Sequence, residues 1–417
     1  MKNLRMQQEM TDRGRLEIRV NTRIQARPVS GARVTVSYTG DPQNVIEELI
    51  TDGDGRTETL DLATPPLEYS LEPNVNQPYS EYTVKVEAEG YEPVEVTGSE
   101  LLSGEQSVQQ VDLKLAEGAA FADVTIPDHT LFGEYPAKIP ESEIKPTRES
   151  GEIVLSRVVI PEYIIVHDGA PTDSTARDYY VRYRDYIKNV ACSEIYATWP
   201  DAAIRANILA IMSFTLNRVY TEWYRNKGYD FTITSSTAYD HKWIYGRNIF
   251  DSISLVVDEI FADYLSRPNV KQPILTQYCD GNRVSCPNWM SQWGSKNLAD
   301  QGYSTIQILR NYYGDNMYIN TAEEISGIPS SWPGYDLTIG SSGNKVLQIQ
   351  EQLNVIAEVY SSIPTVYENG YFDEETQDAV EAFQRLFGVP VSGIVDYPTW
   401  YKIQSIYVAV TRIAELQ

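Results

Sequence analysis

The chain has 417 residues, and its 34 Lys and Arg against 58 Asp and Glu give a formal net charge of −24 at pH 7. So acidic a surface repels phosphate groups, which argues against nucleic acid and anionic lipid as partners. No run of about 18 apolar residues occurs, so no membrane-spanning helix is predicted, and three Cys are too few for a disulfide framework. With 42% hydrophobic and 22% charged residues, the composition is typical of a folded protein, and its length predicts about two to four domains.

The first 115 residues have the period-two pattern of β-strands. Apolar and polar residues alternate in Leu16–Val20, Ala32–Tyr38 and Tyr82–Ala88, and turns that contain Gly or Pro separate these runs. Short alternating strands of this kind predict an all-β sandwich over residues 1–115. The layout resembles the transthyretin-like or carboxypeptidase-regulatory type of β-sandwich. The first residues lack the apolar stretch of a secretory signal, so none is expected.

The segment 116–152 has little periodicity, and Pro127, Pro136, Pro140 and Pro146 interrupt it. A long irregular stretch between two packed blocks is typical of an exposed connector, and exposed connectors are where proteases cut. The segment is therefore predicted to be either a simple spacer or a site of activation by proteolysis.

Residues 153–330 mix strand and helix patterns, which predicts an α+β domain. The stretch Val158–Val166 has the apolar character of a buried strand, and Tyr186–Ile195 has the pattern of a short helix. A longer helix is predicted over Asp201–Asn226. Its apolar residues cover most of its circumference, which indicates a helix at the centre of its domain.

The last block, residues 331–417, contains three predicted helices, which begin at Asn344, Glu374 and Tyr397. Its motifs are Gly340-Ser-Ser-Gly-Asn-Lys-Val-Leu-Gln-Ile-Gln350, Asn369-Gly-Tyr-Phe-Asp-Glu-Glu-Thr376, Ala379-Val-Glu-Ala-Phe-Gln384 and Gly388-Val-Pro-Val-Ser-Gly-Ile-Val-Asp396. In order and spacing they resemble the type 1 peptidoglycan-binding domain. The resemblance implies a three-helix bundle that binds peptidoglycan.

Aromatic residues of this block are the candidate peptidoglycan contacts. Tyr371, Phe372 and Trp400 could line a sugar-binding groove, because flat rings with polar neighbours stack on sugars. Packing in the core of the bundle is the alternative for each of them. The sequence departs from the family pattern at Asp373, where the family often has Gly.

The middle block carries the candidate chemistry. Tyr186-Ile-Lys-Asn-Val-Ala-Cys-Ser-Glu-Ile195 and Trp199-Pro-Asp-Ala-Ala-Ile-Arg-Ala206 resemble the motifs of the SpoIID/LytB family, and the similarity continues through Ile233–Gly246. The resemblance implies a lytic transglycosylase that cuts the MurNAc–GlcNAc bond, with Glu194 as general acid and then general base. One carboxyl is enough, because the C6 hydroxyl of the sugar closes a 1,6-anhydro ring and replaces the second carboxylate of an ordinary glycosidase.

Further polar and aromatic residues of the same block are candidates for substrate binding, with ordinary turn or core roles as the alternative. They are Ser193, Ser235, Ser236, Thr237, Tyr239, Gln277 and Tyr278. Cys279 and Cys286 could approach His241, and zinc, a disulfide and free thiols all remain open for the two Cys. Two Cys and one His are an incomplete ligand set, so neither a metal nor any other cofactor is predicted.

The order of the three blocks resembles the clostridial spore cortex-lytic enzymes. This resemblance implies that residues 1–115 are a pro-region, which an activating subtilisin-like germination protease removes by cutting within 116–152. It also implies that cortex peptidoglycan is the partner and the cortex and coat region of the spore the location. Two other functions stay open. An N-acetylmuramoyl-L-alanine amidase would need a metal site, to which His167 and Asp168 could contribute, and a non-catalytic peptidoglycan-binding protein of a spore coat or phage particle would use the middle block as a scaffold.

Overall fold

The computed structural model describes residues 11–22, 27–73, 75–116, 121–145, 157–322, 324–325 and 333–411. Within these ranges, no helix combines the length and the apolar character that crossing a membrane requires. The described residues fall into a β-rich N-terminal block, a mixed middle block and a helical C-terminal block.

The strands and helices are numbered in chain order. The strands are β1 (Asp12–Thr22), β2 (Arg33–Tyr38), β3 (Asp41–Ile50), β4 (Leu60–Thr64), β5 (Ser80–Glu87), β6 (Val94–Leu101), β7 (Gln106–Leu113), β8 (Ala122–Thr125), β9 (Val159–Ile160), β10 (Tyr163–His167), β11 (Asp178–Arg182), β12 (Ile233–Thr234), β13 (Ile249–Phe250), β14 (Asp263–Ser266), β15 (Tyr278–Cys279), β16 (Met290–Ser291), β17 (Tyr318–Thr321) and β18 (Glu324–Ile325). The helices are α1 (Tyr183–Glu194), α2 (Asp201–Tyr220), α3 (Asp251–Ile260), α4 (Gln292–Asp300), α5 (Thr305–Tyr313), α6 (Asn344–Ala357), α7 (Glu374–Phe387) and α8 (Tyr397–Thr411).

The two largest sheets share one apolar core. Their strand orders are β3-β2-β5-β6-β8 and β13-β7-β1-β4. Inward-facing residues of both sheets, such as Ile18 of β1, Val84 of β5 and Val111 of β7, are buried in the same cluster. Because side chains of a strand alternate between its two faces, the period-two sequence pattern gives each sheet one apolar face to bury.

Two strands of these sheets come from outside the first 115 residues. Strand β8 belongs to the connector and pairs in parallel with β6. Strand β13 belongs to the middle block and pairs with β7, where Ile249 lies opposite Val108. Ile126 and Ile244 extend the same core from these two regions. The N-terminal and middle blocks are therefore joined by a shared sheet and a shared core as well as by the chain.

Helix α2 lies at the centre of the middle block, where it contacts α4, α5 and β14. Its residues are buried around most of its circumference, as the apolar sequence predicts. The prediction that this helix extends to Asn226 is wrong, because it ends at Tyr220. Glu222 has a φ of 43° and Gly228 a φ of 86°, and such left-handed residues cannot continue a right-handed helix.

Helices α6, α7 and α8 form the C-terminal bundle, and buried glutamines organise its turns. Gln384 accepts a hydrogen bond from Gly393 N at 2.9 Å and donates to Ile394 O at 2.8 Å. Gln350 does the same for the turn at 369–371, where it accepts at 2.8 Å and donates at 2.9 Å. A buried amide satisfies the backbone groups of a turn that has no ladder partner. This accounts for the glutamines at the ends of two sequence motifs.

The bundle packs on the middle block around a buried carboxylate. Asp258 of α3 pairs with Lys188 at 2.7 Å, Arg184 at 3.2 Å and Lys402 of the bundle at 3.5 Å. One carboxylate therefore meets three cations. Burial, with the charges of Lys188 and Arg184 acting in the same direction, lowers the pKa of Lys402 to about 7 despite the attraction of Asp258.

Docking of the bundle is expected to become stronger as the pH rises from about 7 to about 9. An exposed Lys titrates near pH 10.4, so in this range the undocked chain binds more protons at Lys402 than the docked chain does. The pH dependence should be seen in the melting temperature at the two pH values, and Lys402→Met should remove most of it. Lys271→Met, which changes an exposed lysine, is the control. An equal pH dependence of the melting temperature in Lys402→Met and Lys271→Met would contradict the assignment of this effect to Lys402.

Candidate functional site

Glu194 is the last residue of α1, and its side chain is fully buried. Lys242 N donates to Glu194 Oε1 at 2.9 Å, and Gln292 Nε2 donates to Oε2 at 3.1 Å. Tyr135 and Tyr278 lie close enough to the carboxyl that the charge of Glu194, after burial, raises the pKa of both phenols well above the ordinary value. The carboxyl is thus fixed by two donors beside two phenol rings.

Asp240 fixes the loop that reaches Glu194. Its carboxylate accepts from Arg218 Nε at 2.7 Å, from Tyr224 OH at 2.7 Å, and from Thr234 N at 2.9 Å. A fully buried carboxylate is stable only when its oxygens are paired in this way. The loop conformation that Asp240 holds places the backbone N–H of Lys242, two residues later, against Glu194.

Thr237, Gln277 and Tyr278, all predicted to bind substrate, meet the connector beside Glu194. Thr237 O accepts from Lys138 Nζ at 3.0 Å, and the same ammonium lies 4.7 Å from the centre of the Tyr278 ring. The amide of Gln277 bonds to the backbone of connector residues 139–141, at 2.8 and 2.9 Å. In the described structure these three residues hold the connector.

The hydroxyls of Ser193 and Ser235 are used within the fold. Ser193 Oγ donates to a backbone carbonyl of its own helix at 2.8 Å, and Ser235 Oγ donates to Asp168 Oδ1 at 2.8 Å. Ser236 and Tyr239 form a turn, in which Tyr239 N donates to Ser236 O at 3.0 Å. In the described part of the chain, none of these four residues makes a side-chain hydrogen bond to the carboxyl of Glu194.

The connector lies beside Glu194, and several of its side chains are buried there, although its composition predicts an exposed segment. Thr130 donates to Ser193 O through both its backbone N and its Oγ1, at 3.3 and 2.5 Å. Tyr135 and Lys138 are less than a tenth exposed. Burial lowers the pKa of Lys138 to about 8, while the charge of Glu194 opposes this shift. In this state a glycan chain cannot reach the candidate catalytic carboxyl, which is fully buried.

Cys279 and Cys286 form a disulfide, which decides between the three alternatives that the sequence leaves open. The bond closes a short loop around Asp280, whose carboxylate accepts from the backbone N of Val284 at 2.9 Å. Arg283 of this loop donates to Thr130 O of the connector at 2.9 Å. The cysteines therefore brace a loop that contacts the connector, and neither sulfur is available as a zinc ligand.

The two histidines that could suggest a metal site are used otherwise. His241 bonds to Tyr186 OH through Nδ1 at 3.1 Å and stacks on Tyr278, and burial lowers its pKa well below the ordinary value. His167 Nδ1 bonds to Asp178 at 2.8 Å. Across the part of the chain that the structure describes, no three His, Cys, Asp or Glu side chains converge as metal ligands.

Only one of the three candidate peptidoglycan contacts offers its ring to solvent. Phe372 and Trp400 are fully buried in the bundle, so both belong to the alternative, core packing. Tyr371 is 50% exposed. Tyr367, which the sequence reasoning missed, is 75% exposed on the same loop. The signal that could have found it is its position beside the Asn369-Gly turn, because turns lie at the protein surface.

Comparison with known proteins identifies the C-terminal block. Residues 342–403 match the family described as "Putative peptidoglycan binding domain". No curated protein matches the chain.

Several solved structures share a weak similarity with parts of the chain. The Bacillus anthracis TIE protein is 18% identical, with a TM-score of 0.18, over 25% of this chain and 17% of its own. The Streptococcus agalactiae minor pilin GBS52 is 12% identical, with a TM-score of 0.18, over 28% of this chain and 49% of its own. Klebsiella pneumoniae 5-hydroxyisourate hydrolase is 14% identical, with a TM-score of 0.17, over 25% of this chain and 98% of its own. Similarity at this level supports no conclusion about the chain.

The family match and the three-helix bundle cover the same residues, since α6, α7 and the first half of α8 lie within 342–403. Residues 342–403 are therefore a peptidoglycan-binding domain, and the chain is a peptidoglycan-associated protein.

Proposed function

We propose that the chain is the proenzyme of a spore cortex-lytic enzyme of the SleC kind, a lytic transglycosylase whose catalytic residue is Glu194. The observation that carries this proposal is the buried carboxyl of Glu194, held by Lys242 N and Gln292 Nε2, on a chain with a peptidoglycan-binding domain. Two donors fix the position of the carboxyl, and a residue that gives a proton to one substrate atom and takes one from another must be held within hydrogen-bond reach of both.

In the proposed reaction, protonated Glu194 transfers its proton to the glycosidic oxygen while the bond from that oxygen to C1 of MurNAc breaks. The Glu194 carboxylate then accepts the proton of the C6 hydroxyl, and the C6 oxygen bonds to C1. The product is a 1,6-anhydro sugar, and no water is consumed. One carboxyl therefore performs both proton transfers.

The proenzyme state is supported by the connector, which covers Glu194 through Thr130, Tyr135 and Lys138. A subtilisin-like germination protease that cuts between residues 145 and 152 would break the covalent link between these covering residues and the middle block. Residues 146–156 lie outside the described residues. The same proposal places the active protein in the cortex and coat region of the spore.

Product analysis tests the proposal. The processed chain is incubated with purified cortex, and the soluble fragments are identified by mass spectrometry. A transglycosylase releases 1,6-anhydro muropeptides, which are one water lighter than the products of hydrolysis. Free stem peptides would instead indicate an amidase, and a processed chain that binds cortex but releases nothing would indicate a non-catalytic wall-binding protein. Either result would overturn the proposed activity.

A further inference from the structure

Arg218, near the end of α2, is a fully buried arginine with two carboxylate partners. Its Nε bonds to Asp240 Oδ1 at 2.7 Å. Its other two nitrogens form a fork on Glu141, with Nη1 3.0 Å from Oε2 and Nη2 2.6 Å from Oε1. Two parallel bonds of this kind are the geometry by which arginine recognises a free carboxylate.

The two carboxylates belong to different parts of the chain. Asp240 lies in the loop that reaches Glu194, whereas Glu141 lies in the connector, as does Lys145, with which Glu141 also pairs. Departure of the connector would remove Glu141 and Lys145 together and leave the bond to Asp240 intact. The fork of Arg218 would then lose both oxygens of Glu141. Nη2 would keep Tyr239 O at 3.2 Å, whereas Nη1 would lose its acceptor, and unsatisfied buried donors are costly.

The place that Glu141 would vacate has a defined lining. The ring of Trp223 lies 5.1 Å from the Arg218 guanidinium, and Lys227 Nζ lies 3.2 Å from the centre of the same ring. Both residues belong to the middle block and stay when the connector leaves. A guanidinium fork beside an aromatic ring and a second cation should bind a small organic carboxylate more strongly than an uncharged group of the same size.

We propose that Glu141 occupies the place of a substrate carboxylate, and that Arg218 binds a carboxylate of the peptidoglycan stem peptide once the connector has left. This inference rests on the proposed function. Stem peptides carry several such carboxylates. Glycan stripped of peptide keeps only the lactyl carboxylate of its muramic acid, and the muramic lactam has none. Because Asp240 and Lys242 are two residues apart, the bound carboxylate would lie beside the loop that holds Glu194, and the enzyme would select muramic acid residues that bear a peptide.

The carboxylate site is tested first in the full chain with Glu141→Ala, which removes the carboxylate from the fork. Sodium acetate at about 0.2 M is expected to raise the melting temperature of this variant by roughly 2–4 °C more than acetamide with matched sodium chloride does. Glu143→Ala is the matched control, because Glu143 is also a connector carboxylate in a two-bond pair, with Arg267 at 2.6 and 2.7 Å, but at a more exposed position. It should show little difference between acetate and acetamide. Equal effects of both compounds on Glu141→Ala would overturn the site.

The ligand is tested second with the processed wild-type chain. It is expected to digest glycan that carries stem peptides about tenfold faster than the same glycan after the peptides are removed. Equal rates on the two substrates would overturn the assignment to the stem peptide. If the acetate effect is found but the processed chain digests neither substrate, the carboxylate site is supported and the transglycosylase proposal fails.

Discussion

The variant Glu194→Gln, after processing, is expected to digest cortex more slowly than the wild type by a factor of about 10³ or more. An amide can neither give a proton to the glycosidic oxygen nor take one from the C6 hydroxyl. It keeps the size of the carboxyl, and its oxygen can still accept from Lys242 N. Gln292 Nε2 keeps its bond to the backbone O of residue 194 at 3.0 Å and loses only its bond to the former Oε2, which costs about 1–3 kcal/mol. The fold should therefore survive the change.

Glu259→Gln is the matched control for this variant. Glu259 also lies in the middle block, where it pairs with Arg205 on the surface and makes no contact with the site. Its digestion rate should equal that of the wild type, and the melting temperatures of both variants should stay close to the wild-type value. Digestion that is unimpaired by Glu194→Gln would assign the chemistry to another residue.

The elements that the sequence predicts best are those whose ends are set by local chemistry. Helix α7 begins at Glu374, as predicted, because Asp373 accepts from Thr376 N at its start, and it ends at Phe387, where Gly388 adopts a left-handed conformation. The central position of α2 is equally local, since it follows from an apolar circumference. Its C-terminus was predicted wrongly because nothing in the apolar pattern marks Glu222 as left-handed.

The sequence predicts Glu194 as the candidate catalytic residue, but it does not predict that the connector buries this residue. Motif resemblance identifies Glu194, yet the connector that covers it has the composition of an exposed segment. Lys138 can be buried because carbonyl oxygens of the loop at 237–240 accept from its ammonium, and these partners are about a hundred residues away in sequence. The spacing of Cys279 and Cys286 leaves their pairing open for a similar reason, because a disulfide depends on the direction of the two Cβ atoms.

Arg247→Met is expected to detach the N-terminal block from the middle block after the chain is cut. Arg247 and Glu100 join these blocks by two bonds of 2.5 and 2.6 Å, and neither side chain is more than 1% exposed. Arg247 also donates to Cys192 O at 2.6 Å, two residues before Glu194. Removing the arginine leaves Glu100 buried without its counter-ion, which typically costs about 3–5 kcal/mol.

This loss should depend on pH. Burial raises the pKa of Glu100 to about 7 even beside Arg247. Without the arginine, the carboxyl is expected to bind a proton more readily, so the uncompensated charge disappears as the pH falls. The difference between Arg247→Met and wild type should therefore be smaller at pH 6 than at pH 8, because at pH 8 docking must either bury the charge or take up a proton.

Size-exclusion chromatography measures the effect on chains cut between residues 145 and 152. The two wild-type pieces are expected to elute together, because the pairing of β13 with β7 and the Glu100–Arg247 pair do not depend on an unbroken chain. A loss of about 3–5 kcal/mol weakens their association by roughly two to three and a half orders of magnitude, so the Arg247→Met pieces should separate.

Two variants decide whether the buried charge is the cause. Arg33→Met, which removes an exposed arginine within the N-terminal block, should leave the cut pieces together. The double variant Glu100→Leu with Arg247→Met should restore much of the association, since an apolar pair no longer leaves a buried charge unpaired. Separation of the cut wild-type pieces would contradict the prediction. If they stay together, cutting alone does not expose Glu194, and cortex digestion should lag behind cleavage by the time that the N-terminal piece needs to dissociate.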